Sequence, residues 1–156
     1  MFLQNYLFND IKRVCLMKLI ASTGIALLLV ACQPTKQARL VYPEGIYPQP
    51  EWSAVELEQN ITIHHLSRNG DSSTHIIRLK NKESPHYHDF HDLNVSVLSG
   101  TSIIHFKDYK VELEAGDVIY IPKGTYHWVE NTSPNANVVF AVFSPAFDGK
   151  DKREAD

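Results

Sequence analysis

One stretch of sixteen residues constrains this chain more than any other: Gly116-Asp117-Val118-Ile119-Tyr120-Ile121-Pro122-Lys123-Gly124-Thr125-Tyr126-His127-Trp128-Val129-Glu130-Asn131. It reads as strand, reversal, strand. Gly116 turns the chain into a run of β-branched and aromatic residues. Pro122 ends that run, because it has no N–H to give to a ladder. Gly124 permits the reversal, since a residue free to take positive φ is wanted there. His127 then opens the next strand, pointing inward. The spacing is G-x5-P-x-G-x2-H-x3-N, with five fixed positions in sixteen.

The sequence around it has the same character. Ile61-Thr62-Ile63 and Ser73 to Leu79 are rich in β-branched residues, and Asn69-Gly70-Asp71 between them is a hairpin signal. Leu93, Val95 and Val97 alternate with Asn94 and Ser96, which is strand period. Ser102 to Phe106, Tyr109 to Leu113, Asp117 to Ile121 and Val138 to Phe143 continue the series, punctuated by Gly100, Ala115-Gly116 and Lys123-Gly124. Long helical periodicity is missing. Many short strands at regular spacing predict an all-β sandwich or barrel, and 156 residues suit one domain.

Upstream lies Pro85-His86-Tyr87-His88-Asp89-Phe90-His91-Asp92-Leu93, in a segment ending at Gly100. His86 and His88 are two apart, so on a strand they share one face. Two inward imidazoles from one strand and a third from a distant strand can converge on one ion, and neutral imidazole suits Zn, Cu, Fe and Ni.

Together the two segments resemble the paired motifs of the cupin family, the second at every fixed position and the first as H-x-H-x3–4-E-x6-G. The resemblance covers roughly residues 60–146. It implies a single-domain small jelly-roll β-barrel, here placed at residues 52–146, and a divalent metal (Fe, Mn, Ni, Zn or Cu) on His86, His88 and His127. One position departs from the pattern. Leu93 stands where the family carries its Glu ligand, and the alternation of Leu93, Val95 and Val97 points it inward. Asp92 meets the shorter spacing and is the candidate fourth ligand, although strand parity turns it away unless the chain bulges there. His91 is the other substitute. Three-His cupins exist in the family, notably among thiol dioxygenases, so the loss does not abolish a site. His64, His65, His75 and His105 read as strand residues, one or two of them facing inward as partners for the ligands. Tyr120, Tyr126 and Trp128 are expected to pack in the sheets or line the barrel mouth.

For function, the resemblance implies either a metal-dependent enzyme or a non-catalytic module that binds a small molecule or a metal. The enzyme would be an Fe(II) dioxygenase or an isomerase acting on a small polar or anionic substrate. No catalytic residue can be named. A degenerate, metal-free barrel kept for protein contacts is a third reading. Metal binding through free imidazoles should fade below about pH 6. A homodimer is an assembly such barrels often form. The net charge of −3 gives no sign of a nucleic-acid partner.

The N-terminus reads as an address. Leu19 to Ala31 is uncharged and mostly apolar, too short for a membrane span and the right length for the core of a secretory signal, preceded by Lys12, Arg13 and Lys18. It ends in Leu29-Val30-Ala31-Cys32, which resembles the lipobox of bacterial lipoproteins. That resemblance implies a signal peptide over residues 1–31, lipid on the Cys32 thiol, and a membrane contact through that anchor. With Gln33 rather than Asp after the Cys, it points to the outer membrane facing the periplasm. Removing residues 1–31 would take the net charge from −3 to −5, which argues against added electrostatic adhesion to anionic lipid. The only other cysteine is Cys15, so no fold-stapling disulfide is expected. Residues 32–51 carry four prolines (Pro34, Pro43, Pro48, Pro50) and read as a semi-extended tether. Residues 147–156 read as a charged C-terminal tail.

Overall fold

The computed structural model describes residues 13–18, 29–34, 38–43, 45–47 and 50–155. The chain divides into two units, Met1–Gln37 and Ala38–Asp156. In the first, β1 (Arg13–Lys18) pairs antiparallel with β2 (Leu29–Pro34), which sets Cys15 opposite Cys32. Residues 19–28, the body of the expected signal core, lie outside the described residues, as does Lys12. Among the described residues no helix is long and apolar enough to cross a membrane.

The second unit is the all-β domain. Its main strands are β5 (Ile61–Arg68), β6 (Ser73–Leu79), β7 (His86–Tyr87), β8 (Asp92–Ser99), β9 (Thr101–Phe106), β10 (Lys110–Glu114), β11 (Val118–Ile121), β12 (His127–Asn131), β13 (Asn137–Ser144) and β14 (Arg153–Glu154). They form two five-stranded antiparallel sheets, ordered β11-β8-β13-β6-β5 and β10-β9-β12-β7-β14. Consecutive strands repeatedly fall in opposite sheets, which is the jelly-roll connectivity. Alternate residues point inward, and both sheets feed one core of Leu93, Val97, Ile104, Leu113, Ile121, Ala141 and Phe143. The hairpin at Asn69 closes as expected, with the Asn69 Oδ1 accepting from the amides of Asp71 and Ser72, both at 2.8 Å.

Three segments differ from their sequence reading. Within the expected tether, β3 (Leu40–Tyr42) pairs with β4 (Gly45–Tyr47). Pro43 falls in the reversal rather than in either strand, so it does not disrupt the ladder. Arg39, Leu40 and Val41 line a groove with Leu66, Leu98 and Phe140 of the barrel wall. Next, α1 (Ala54–Glu58) is a single turn of helix announced by a Ser53-x-x-Glu56 capping box. Ser53 Oγ accepts from the Glu56 amide at 3.3 Å, and Glu56 Oε2 accepts from the Ser53 amide at 2.8 Å. Trp52, just before it, tilts against His64 with ring centroids 4.3 Å apart. Finally, the expected tail is part of the barrel: β14 pairs with β7, and Asp151 is buried.

Two glycines hold the backbone where other residues are strained. Gly124 has φ +74°, with open space where a Cβ would go, and its amide donates to the His88 carbonyl at 2.6 Å. Gly100 has φ +85°, and a Cβ there would meet the Asn137 Cα and the Ser133 Oγ at 3.0 Å. Gly124→Ala should therefore cost only the backbone strain, about 1–2 kcal/mol. Gly100→Ala should cost more, because a packed backbone must also move. Urea unfolding of the two variants checks this, and equal midpoints would refute the reading of the Gly100 approach.

Candidate metal centre

His86 and His127 are direct cross-strand partners in the β7–β12 ladder. Their rings therefore meet across one antiparallel rung, with centroids 4.5 Å apart. His88, two residues beyond His86, returns to the same face and brings its ring within 4.9 Å of His86 and 5.6 Å of His127. One ring nitrogen from each residue lies within 4.8 Å of the other two. All three side chains are buried.

Each ring has its tautomer set by a carbonyl. The Nδ1 of His86 bonds the Ser84 carbonyl at 2.8 Å, and that of His127 bonds the Thr125 carbonyl at 2.9 Å. In both cases the acceptor lies two residues upstream. The Nδ1 of His88 bonds the Asp151 carbonyl at 2.9 Å. A carbonyl oxygen only accepts, so every Nδ1 must carry the proton, and the lone pair is left on Nε2. Burial drives the His86 pKa down to about 4, and the neighbouring His127 and His88 lower it further against the Ser84 bond. His88 is likewise lowered to about 4, first by burial and then by His127. Burial also lowers His127. The three imidazoles are thus neutral at physiological pH, with three Nε2 lone pairs gathered in one place. That is the donor set a divalent transition metal requires, so the residues fit the ion the motifs imply.

The substitutes for the missing carboxylate do not join the cluster. The β8–β13 register is regular at Asp92↔Ser144 and Leu93↔Phe143, so no bulge turns Asp92 inward. Its Oδ1 instead accepts from the Lys123 amide at 2.8 Å. His91 is buried, with Nδ1 bonded to the Asp151 carboxylate. Leu93 does point inward and lines the cavity beside the three histidines. Of the other histidines, His75 is buried against Phe143 and shares a 2.9 Å Nδ1–Nδ1 bond with His65. His105 stacks on Trp128 at 3.8 Å, and His64 bonds Glu56 at 2.7 Å. Tyr126 packs on Tyr87, whereas Tyr120 is exposed on the outer side of β11.

Two acidic residues at the site escaped the sequence reading. Glu83 lines the same interior cavity of about 100 Å³ as the three histidines. Its Oε2 accepts from the Val129 amide at 3.1 Å, and burial pushes its pKa up to about 7 against the opposing pull of Lys152 and that amide. Asp151 accepts from the amides of Asp89 and Phe90, each at 3.0 Å, as well as from His91. Neither residue sits at a strand spacing that would flag it. Most of the cavity wall is apolar, with Ile77, Leu79, Val97, Ile104, Ile121 and Val139 among its residues.

The cupin domain family model matches residues 62–143, more than half of the chain. A protein of Aquifex aeolicus (strain VF5), described as uncharacterized, is 37% identical over 108 residues, covering 69% of this chain and 85% of that protein. Among solved structures, KdgF from Halomonas sp. superposes with a TM-score of 0.55 at 24% identity, over 64% of this chain and 92% of its own. The polyketide cyclase RemF from Streptomyces resistomycificus gives 0.55 at 18% identity, over 63% and 72%. At such identities these two structures speak to the fold alone. With its motif histidines gathered inside a jelly roll and the family model matching residues 62–143, the chain belongs to the cupin family.

Proposed function

We propose that this cupin holds a divalent transition metal on the Nε2 atoms of His86, His88 and His127, and acts there on a small anionic molecule with an apolar body. The observation that carries this reading is the commitment of all three Nδ1–H groups to carbonyls, which leaves three convergent lone pairs. A bound metal would act as a Lewis acid with open positions for a carboxylate, enolate or thiolate. With Leu93 in place of a carboxylate ligand, the three neutral donors leave the ion's charge uncompensated, which favours an anionic partner. The apolar cavity wall supports a hydrocarbon body on that partner. Glu83 favours turnover over mere binding, because a carboxyl held near pKa 7 beside a ligand cavity can hold or give up a proton at physiological pH. An oxygenase and an isomerase both remain within this description, and oxygen consumption during turnover separates them. The non-catalytic reading rests on Leu93 and the mostly apolar wall. It predicts tight ligand binding with no product.

The metal reading is tested by metal analysis and Zn²⁺ titration of the purified protein. His86→Ala, His88→Ala and His127→Ala should each lower affinity at least tenfold, with strongly non-additive pairs. Asp92→Ala should change affinity little, because its carboxylate serves the Lys123 amide. Leu93→Glu should destabilise the metal-free domain and tighten metal binding. Full metal retention in His127→Ala would sink the assignment.

The pH response follows from burial. Unfolded imidazoles take protons near pH 6.5, while His86 and His88 resist protonation down to about pH 4. Between those values the unfolded state binds more protons, so the metal-free protein should lose stability as the pH falls through that window. Protons compete for the same nitrogens as the metal, so binding should persist below pH 6, the limit expected for free imidazole, and fail towards about pH 4. Denaturant unfolding and metal titration across a pH series measure both. A flat stability profile over the window would rule out buried neutral imidazoles.

We also propose that the protein is a lipoprotein of a bacterial envelope, anchored through Cys32. Support comes from the sequence alone: the apolar run that ends in Leu29-Val30-Ala31-Cys32 behind Lys12, Arg13 and Lys18. Labelling cells with a radioactive fatty acid should mark the wild type and spare Cys32→Ala. Equal label in both would refute the anchor.

A further inference from the structure

We propose that Asp151 is a positioning residue of the metal centre, and that the C-terminal segment from Ala146 to Ala155 is therefore part of the site. This rests on the three-His reading above. His86 and His127 each take their Nδ1 acceptor from their own strand, two residues away, but His88 takes its acceptor from residue 151, sixty-three residues on. Among the described residues, the His88 Nδ1 has no hydrogen-bond partner local to β7, although its ring packs edge-on against His86 at 4.9 Å. The Nδ1 hydrogen bond goes to the backbone carbonyl of Asp151, with Phe143 and Phe147 packed edge-on against the ring, and the Asp151 side chain decides where that carbonyl sits. Its two carboxylate oxygens accept from the Asp89 and Phe90 amides at 3.0 Å and from the His91 Nδ1. Residue 151 thus holds the His88 ring with its carbonyl and the two residues after it with its carboxylate. A carboxylate this buried is stable only when its lone pairs are satisfied, as they are here.

The neighbouring residues hold the grip in register. Arg153 makes a bidentate pair with Asp89, at 2.6 and 2.9 Å, and lies 4.1 Å over the Tyr87 ring. Glu154 stands opposite His86 in the β14–β7 ladder, and the Ala155 amide donates to the Pro85 carbonyl at 2.9 Å. His91, the sequence's candidate for a ligand, thereby has another role. It is the partner that anchors Asp151, wedged beside Phe147 at 5.4 Å. Partners of this kind, behind a ligating His, set its ring orientation, and their loss typically weakens metal binding about 10–100-fold.

The test uses the purified full chain, titrated with Co²⁺ and Zn²⁺, with Asp151→Ala, Asp151→Asn and His127→Ala compared with wild type. Asp151→Ala keeps the carbonyl but removes the anchors that place it, so it should weaken binding by up to about 10–100-fold, the range for loss of such a partner. It should also shift the visible bands of the Co²⁺ form at saturating metal, because those bands report donor geometry. Asp151→Asn keeps one oxygen facing the loop amides and should restore both in part. A purely structural role would lower the unfolding temperature but leave the saturated spectrum unmoved. Should Asp151→Ala not fold, Asp151→Asn carries the same two readouts with smaller shifts. Wild-type affinity and spectrum in the Asp151 variants, with binding lost in His127→Ala, would overturn this inference and leave the metal centre standing. If His127→Ala binds as the wild type does, the centre itself is misplaced and the inference falls with it.

Discussion

The structure of this site depends on one rung of one ladder, His127 opposite His86. β7 is two residues long, too short to hold its own conformation, and it exists because β12 and β14 flank it. On one side the reversal through Pro122 and Gly124 delivers His127 in register, with the Gly124 amide tied to the His88 carbonyl at 2.6 Å. On the other side the C-terminus closes the edge. A slip of one residue in either pairing would turn His86 to the opposite face, because side chains alternate along a strand. The site is therefore defined not by the His-x-His pair alone but by the pair together with both neighbouring strands.

Burial makes the three imidazoles interdependent. Packed this closely they cannot all be charged, and the low-dielectric interior penalises even one charge, so the folded state selects neutral rings. Fixing Nδ1–H on a carbonyl then removes the remaining choice of tautomer. The barrel offsets the desolvation of three polar rings with three hydrogen bonds, and among the described residues the three Nε2 lone pairs have no hydrogen-bond donor. Leu93 completes this logic. An inward carboxylate would compensate the charge of an ion, whereas a leucine among Phe143 and Ile121 adds to the core. Stability of the metal-free barrel is gained at the position where charge balance is given up.

Most of the barrel was legible because its strands are punctuated by glycine and proline at places where the backbone has few alternatives. Gly100, Gly116, Pro122 and Gly124 mark turns whichever residues lie between them. The triad was legible because parity along a strand converts spacing into direction. Parity also correctly turned Asp92 away and Leu93 in. What escaped did so for separate reasons. Asp151 and Glu83 reach the site through contacts distant in sequence, and no local period encodes those. The hairpin of β3 and β4 was hidden by prolines that a tether and a turn use alike. The single helical turn of α1 was hidden by its brevity, although its Ser53–Glu56 capping box is a local signal.

The interior cavity sets the remaining constraint on chemistry. Its polar groups are the three histidines, Glu83, Ser102 and Asn137, and the rest of its wall is hydrocarbon. The Asn137 side-chain amide donates to the Ser99 carbonyl at 3.2 Å, while the Ser102 hydroxyl is buried with no hydrogen-bond partner among the described residues. A fully polar guest would forfeit its hydration along most of this wall without recovering hydrogen bonds, at a cost of roughly 1–3 kcal/mol for each group left unpaired. A guest with one anionic end and an apolar remainder loses little. For the function proposed above, this distribution of polar atoms favours an amphipathic partner over a fully polar one: its charged end would face the histidines and its apolar part would face residues such as Ile77, Val97 and Val139.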